Sequence, residues 1–141
     1  MDFPEQTVPT LEAVMDRIIP RDEFPAASEN GVVVFFRRQW STALRDKQDF
    51  LVGGLRELDA EAQLRHHLSF AQLASAEQDE LLRAIERGEV RAAWPGENPG
   101  PPHAKYWFNH LVELVAEGYY ANPGNGGNPA QASWRMIGYK A

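Results

Sequence analysis

Cysteine is absent from the 141 residues. Its absence removes disulfides, thiolate zinc sites, iron–sulfur clusters and covalent c-type haem from this polypeptide. It does not fix a redox compartment, because a cysteine-free chain is at home in either. A long apolar run is also missing. The longest, Val32 to Phe36, falls far short of the ~20 residues that a membrane-spanning helix needs. Basic charge is scarce: 14 Lys and Arg stand against 20 Asp and Glu, for a net charge of −6. Nucleic-acid binding shows a basic stripe, and none is visible. An anionic membrane surface repels such a chain. No stretch alternates apolar and polar residues as a half-buried strand does, and no segment repeats. A basic, apolar leader is not found at the start either, where Asp2, Pro4, Glu5 and Pro9 intervene. The pair Arg37-Arg38 lies too far in to be an export signal. The chain as given is expected to be cytoplasmic, or periplasmic if a twin-arginine leader has been removed.

What remains is helical periodicity broken by Pro and Gly. The length suits one domain, residues 1–141, and buries about two thirds of its unfolded surface. Leu11, Val14, Met15, Ile18 and Ile19 recur at helical spacing, with Pro9 in the first turn and Pro20 as the stop. Ser28 is expected to cap a second helix carrying Val32, Phe35, Phe36, Gln39 and Trp40 on one face. A third helix is expected from about Thr42 to Leu58. Within it, Gly53-Gly54 costs roughly 1 kcal/mol per Gly relative to Ala and marks a kink or a close helix approach. Asp59 is expected to cap a short helix through Leu64 and Leu68. Ser75-Ala76-Glu77-Gln78 is a capping-box pattern opening a helix with Leu81, Leu82 and Ile85, closed by Gly88. Trp94 to Pro102 reads as loop. A last helix from near His103 carries Trp107, His110, Leu111, Leu114 and Val115 inward and runs into Gly118, a glycine expected to take the left-handed conformation that closes it. The fold class is therefore all-α: a helical domain of about five to six helices with an irregular, Gly/Pro/aromatic-rich C-terminal tail.

Catalytic constellations are sparse. His66 and His67 are adjacent, so on a helix they point about 100° apart. His103 and His110 lie about 10 Å apart along an axis. His110 and Glu113 have the i, i+3 spacing of carboxylate-bridged metal helices, but those sites use two such pairs with further glutamates. Ser28, Ser41, Ser69, Ser75 and Ser133 lack the surroundings of a nucleophile. Glu113 and Glu117 read as a solvated pair. Gly124 to Asn128 lacks the strand and the basic residue of a phosphate cradle. The expectation is that the chain holds no catalytic residue, no cofactor and no metal. Trp40 and Trp107 belong to apolar helix faces. Trp94 and Trp134 sit in loop positions, where aromatics are enriched at interfaces.

The C-terminal stretch is the most specific. Gly118-Tyr119-Tyr120-Ala121-Asn122-Pro123, Gly126-Gly127-Asn128 and Trp134-Arg135-Met136-Ile137-Gly138-Tyr139 follow one another there. With Ile18-Ile19-Pro20-Arg21-Asp22 near the start, the chain resembles the gluconate 2-dehydrogenase subunit 3 family over nearly its whole length. Ala27 to Val32 and Gly54 to Asp59 fall in the expected order. Asn122, Asn125 and Ser133 depart from the family's usual Asp, aromatic and Gly.

The resemblance implies a small accessory subunit bound to an FAD-dependent large subunit of the glucose–methanol–choline (GMC) type, which oxidises a sugar or polyol. FAD is expected in that partner, not in this chain. The accessory role would be to stabilise the large subunit and help it mature. The residues expected at the partner interface are Trp94, Tyr119, Tyr120, Asn122, Pro123, Gly126, Gly127, Asn128, Trp134 and Tyr139. The competing class is a stand-alone enzyme or small-molecule binder with a pocket around His110, Tyr119 and Trp134.

Overall fold

Five α-helices follow in chain order in the computed structural model, which describes residues 1–91, Trp94 and 103–121. They are α1 (Val8–Ile18), α2 (Val32–Gln39), α3 (Gln48–His66), α4 (Ser75–Glu86) and α5 (His103–Tyr119). Four 3-10 turns, Glu5–Thr7, Ser28–Asn30, Arg45–Lys47 and Phe70–Gln72, lead into or link them. Among the described residues there is no strand, and the all-α expectation holds.

The first helix forms as its pattern requires. A proline occupies its first turn, Leu11, Val14 and Met15 are buried, and the Ile19 N–H closes on the Met15 carbonyl at 2.9 Å. Pro20, which cannot donate to a further turn, then ends it. The chain folds back so that the Asp16 carboxylate accepts from the Ser28 N–H at 2.7 Å and the Ser28 hydroxyl at 2.6 Å. Ser28 therefore does not cap α2. It opens a 3-10 turn tied to α1, and Gly31, with φ 77°, makes the left-handed step into α2. That conformation costs a side chain about 1–2 kcal/mol.

The third helix differs from expectation at both ends. Its α-helical part starts at Gln48, after the 3-10 turn, and runs unbroken past Leu58 to His66, where His67 adopts φ 59°. Asp59 lies inside this helix and caps nothing in it. Its carboxylate instead accepts from the Phe70 N–H at 3.0 Å and the Thr10 hydroxyl at 2.9 Å. One side chain thus caps a later turn and pins it to α1. No residue between Leu58 and His66 breaks a helix, so nothing local stops α3 where a short helix was expected to begin. Leu64 and Leu68, expected on that helix's apolar side, are exposed.

At α4 the expected capping box is shifted by one residue. The Glu77 carboxylate accepts the Ala74 N–H at 3.0 Å, so Ser75 is the first helical residue. Gly88 ends this segment with φ 76°, as its position suggests.

The last helix is the axis of the domain, touching α1, α2, α3 and α4. Its inward residues Ala104, Trp107, Leu111, Leu114, Val115 and Tyr119 are buried among side chains of the other four. Trp107 is completely buried, with its indole lying on Gly54 of α3. A Cβ built on Gly54 would stand 1.9 Å from two indole atoms. The glycine pair expected to permit a close approach does so through Gly54. Gly118 does not close α5, which continues through it to Tyr119. It allows α2 to approach, since a Cβ there would lie 2.8 Å from the Phe35 ring.

Gly54→Ala gains about 1 kcal/mol of helix propensity but displaces Trp107. Overpacking of this kind costs about 1–3 kcal/mol or more, and here the methyl meets ring atoms far inside contact distance. The variant is expected to lose about 2 kcal/mol net in urea unfolding. Gly53→Ala, one residue away, reports propensity without that clash. Equal stabilities for the two variants would remove Trp107 as the determinant.

Candidate functional site

Of the residues expected at a partner interface, Trp94, Tyr119 and Tyr120 fall within the described structure, and all three are buried in the chain's own core. Asn122, Pro123, Gly126, Gly127, Asn128, Trp134 and Tyr139 lie outside the described residues. Trp94 packs against Trp107 with ring centroids 5.4 Å apart. Trp40 and Trp107, expected in the core, are there.

A residue missed in the sequence organises the first of these sites. Glu61 falls on the inward stripe of α3 and is completely buried. One of its oxygens accepts from the Arg91 N–H at 2.6 Å and the Trp94 indole N–H at 3.5 Å. The other accepts from the Arg65 guanidinium at 3.2 Å. Arg65 in turn donates to the Glu89 carbonyl. A buried carboxylate costs several kcal/mol unless paired and hydrogen-bonded, and here it recruits backbone, indole and guanidinium donors. The result is a tether that brings the segment after α4 back onto α3 and seats Trp94 over Trp107. The sequence signal was available: an acidic residue at i+3 from Leu58 and i+7 from Gly54, on the side that is otherwise apolar.

The second site is the end of α5. The Tyr119 hydroxyl donates to the Pro25 carbonyl at 2.7 Å, and the Asn30 amide donates to the Tyr119 carbonyl at 3.4 Å. Tyr120 meets Tyr119 edge-on at 5.2 Å. Burial raises the Tyr119 phenol above its ordinary value, with Asp22 and Glu29 adding to the effect.

The histidines are spread apart. His66 faces Glu77 at 3.5 Å, and His67 is the left-handed residue ending α3. His110 is half-buried, and its Nε2 lies 2.7 Å from the Lys47 ammonium. An ammonium can only donate, so Nε2 is the acceptor in this contact. Phe50 and Tyr106 pack on the same ring at 5.6 and 5.3 Å. His110 and Tyr119 are nine residues apart on one helix, about 13 Å along its axis. Their partners come from different elements, so the structure does not bring them to one pocket. Glu113 and Glu117 are exposed. No group of three potential metal-ligating side chains occurs among the described residues.

Among the described residues, two of the cavities present border the core. One, of about 10 Å³, is lined by Phe3, Leu11, Phe36, Trp40 and Leu111 among others and has room for about one water. The other is an open groove of about 310 Å³ where Ile18, Leu82 and Phe108 meet the Arg17–Asp79 ion pair, which is 2.8 Å long. Neither contains a histidine, nor do they include any residue expected at the interface.

The described side chains thus define a small helical domain whose buried polar groups hold its own segments together. The family model for gluconate 2-dehydrogenase subunit 3 matches residues 5–140, and the chain belongs to that family. A search of curated proteins and a search of solved structures each returned no match.

Two outcomes follow from these sites. Glu61→Gln is expected to lose about 2 kcal/mol, the scale of hydrogen bonds to a charged acceptor, and amide exchange at Arg91 should quicken. Unchanged protection at Arg91 would show that the tether does not depend on the carboxylate. For Tyr119, the unfolded phenol ionises near 10 and the folded one higher. Its stabilising contribution is therefore complete below that pH and is lost as pH rises through the folded value. Tyr119→Phe is expected to cost about 1 kcal/mol at neutral pH and to lessen the alkaline loss of stability. An ultraviolet titration in which all four tyrosines ionise together near their ordinary value would contradict this.

Proposed function

We propose that this chain is the non-catalytic small subunit of an FAD-dependent dehydrogenase acting on a sugar or polyol, and that it stabilises and matures a GMC-type catalytic subunit. The observation that carries the reading is the family match across residues 5–140, since the family is that of a dehydrogenase subunit. The residue chemistry supports it. Glu61, Asp16, Asp59 and Tyr119 each fasten one segment of the chain to another. Such a chain contributes shape to a redox partner and leaves FAD and electron transfer to it. The aromatic, glycine-rich sequence from Asn122 to Tyr139 supplies further contact surface in this reading. A stable interface would bury on the order of 2,000 Å² or more. The complex resides in the cytoplasm, or in the periplasm where a leader accompanies the chain.

Co-expression with a GMC-type flavoprotein subunit from the same source tests the reading. The two chains are expected to elute together from size exclusion with a flavin spectrum, and sugar oxidation should require the larger one. Trp134→Ala is expected to reduce the yield of that complex. Flavin, haem or stoichiometric metal in the purified small chain alone, or carbohydrate turnover by it, would overturn the proposal.

A further inference from the structure

Among the described residues, His66 and His110 meet opposite charges. His66 faces the Glu77 carboxylate at 3.5 Å. His110 instead meets the Lys47 ammonium, 2.7 Å from its Nε2 atom. Both histidines are half-buried, as is Lys47. An ammonium carries three N–H donors and no acceptor, and a protonated imidazole carries two donors and no acceptor. The contact therefore exists only while His110 is neutral, with its proton on Nδ1. It joins the 3-10 turn Arg45–Lys47 to α5.

The imidazole is held by two further rings. Phe50 of α3 meets it edge-on at 5.6 Å, and the Tyr106 phenol ring of α5 lies tilted against it at 5.3 Å. Lys47 immediately precedes the first residue of α3, where the positive end of the helix dipole disfavours an ammonium. The His110 acceptor offsets that. The other charges of these elements are of both signs. Arg45, Asp46 and Asp49 stand at exposed positions of the turn and the start of α3, and Lys105 and Glu113 at exposed positions of α5. None of the ion pairs among the described residues joins a carboxylate to His110. Glu113 lies three residues on from His110, the spacing at which helical side chains become neighbours. Leu44 is buried, and the Gln48 amide donates to the Trp40 carbonyl at 2.8 Å. These contacts anchor the turn on either side of Lys47.

We propose that Lys47 and His110 form an acid-released latch between the turn before α3 and α5. While the imidazole is neutral, Lys47 donates to Nε2 and the turn is fastened across the seam. Protonation turns Nε2 into a donor and sets two cations against each other. The Lys47 side chain then leaves for solvent, and Glu113 receives the charged ring as its i, i+3 partner. The latch is thus present at high pH and lost as pH falls. One contact replaces another, so the change stays within the turn, and Trp107 and Leu111, buried on the same helix, keep their places. His66 responds in the opposite sense, because protonation completes its pair with Glu77. The inference stands apart from the subunit reading, since it requires no partner.

Nuclear magnetic resonance of the purified full chain tests the latch at about pH 8 and about pH 5, the span across which histidine ordinarily charges. At the higher pH, imidazole nitrogen shifts are expected to show His110 as the Nδ1–H tautomer, with cross-relaxation between the Lys47 methylenes and the ring. At the lower pH those cross-peaks are expected to vanish. Protection of the Lys47 amide, which donates to the Leu44 carbonyl at 2.9 Å, is expected to fall severalfold. His110→Gln offers Lys47 an amide oxygen at either pH and is expected to hold that protection constant. Should His110→Gln disturb folding, as judged by circular dichroism, Lys47→Met serves: without the ammonium, protection at position 47 is expected to be the same at both pH values. An Nε2–H tautomer at the higher pH would overturn the latch, as would Lys47–His110 cross-peaks that persist at the lower. A fall in protection as large in the folded variants as in the wild type would overturn it too.

Discussion

The contact between Trp107 and Gly54 sets how the domain is assembled. A tryptophan is the largest side chain a core can hold, and it contributes through area and close contact. Here its indole occupies the space that any side chain at position 54 would need. That brings α5 against α3 and lets α5 serve as the axis on which the other helices pack. The same device recurs near the far end of α5, where Gly118 admits Phe35 of α2. Two glycines that weaken their own helices thus strengthen the packing between helices. The local cost is about 1 kcal/mol each, against burial of large aromatics worth about 1.5–3 kcal/mol apiece.

Around that axis, carboxylates act as fasteners. Asp16 holds the segment before α2, Asp59 holds the turn before α4, and Glu61 holds the segment after it. Each accepts backbone N–H groups that would otherwise lack partners in irregular stretches. A backbone donor left unpaired on burial costs about 1–3 kcal/mol, so the tethers let non-helical segments lie against the core. This arrangement also separates two kinds of aromatic. Trp94, Tyr119 and Tyr120 close the core, whereas Tyr106 projects from it, held by Phe50 and His110. Of these four aromatics, only Tyr106 is accessible to another protein in the described structure.

Much of the helical content was legible in the sequence because it is local. The spacing of Leu11, Val14 and Met15, the prolines flanking α1, and the glycine ending the α4 segment each act within a turn or two. Membership of the gluconate 2-dehydrogenase subunit 3 family was legible as well, from ordered motifs near both ends of the chain. The misread positions share one cause. Ser28, Asp59 and Gly118 are local signals for caps and stops, but each is used by a distant element: Asp16 claims Ser28, Phe70 and Thr10 claim Asp59, and Phe35 requires Gly118.

The sequence by itself determined an acidic, cysteine-free, all-helical domain and its family, since composition and short-range periodicity do not depend on how helices are arranged. Only the tertiary structure decided which polar groups are buried and which aromatics remain outside. Burial is a property of the packed assembly: Glu61 is inside because donors from residues 65, 91 and 94 converge on it. Tyr106 is outside because α5 turns its Trp107 side, one residue on, toward Gly54.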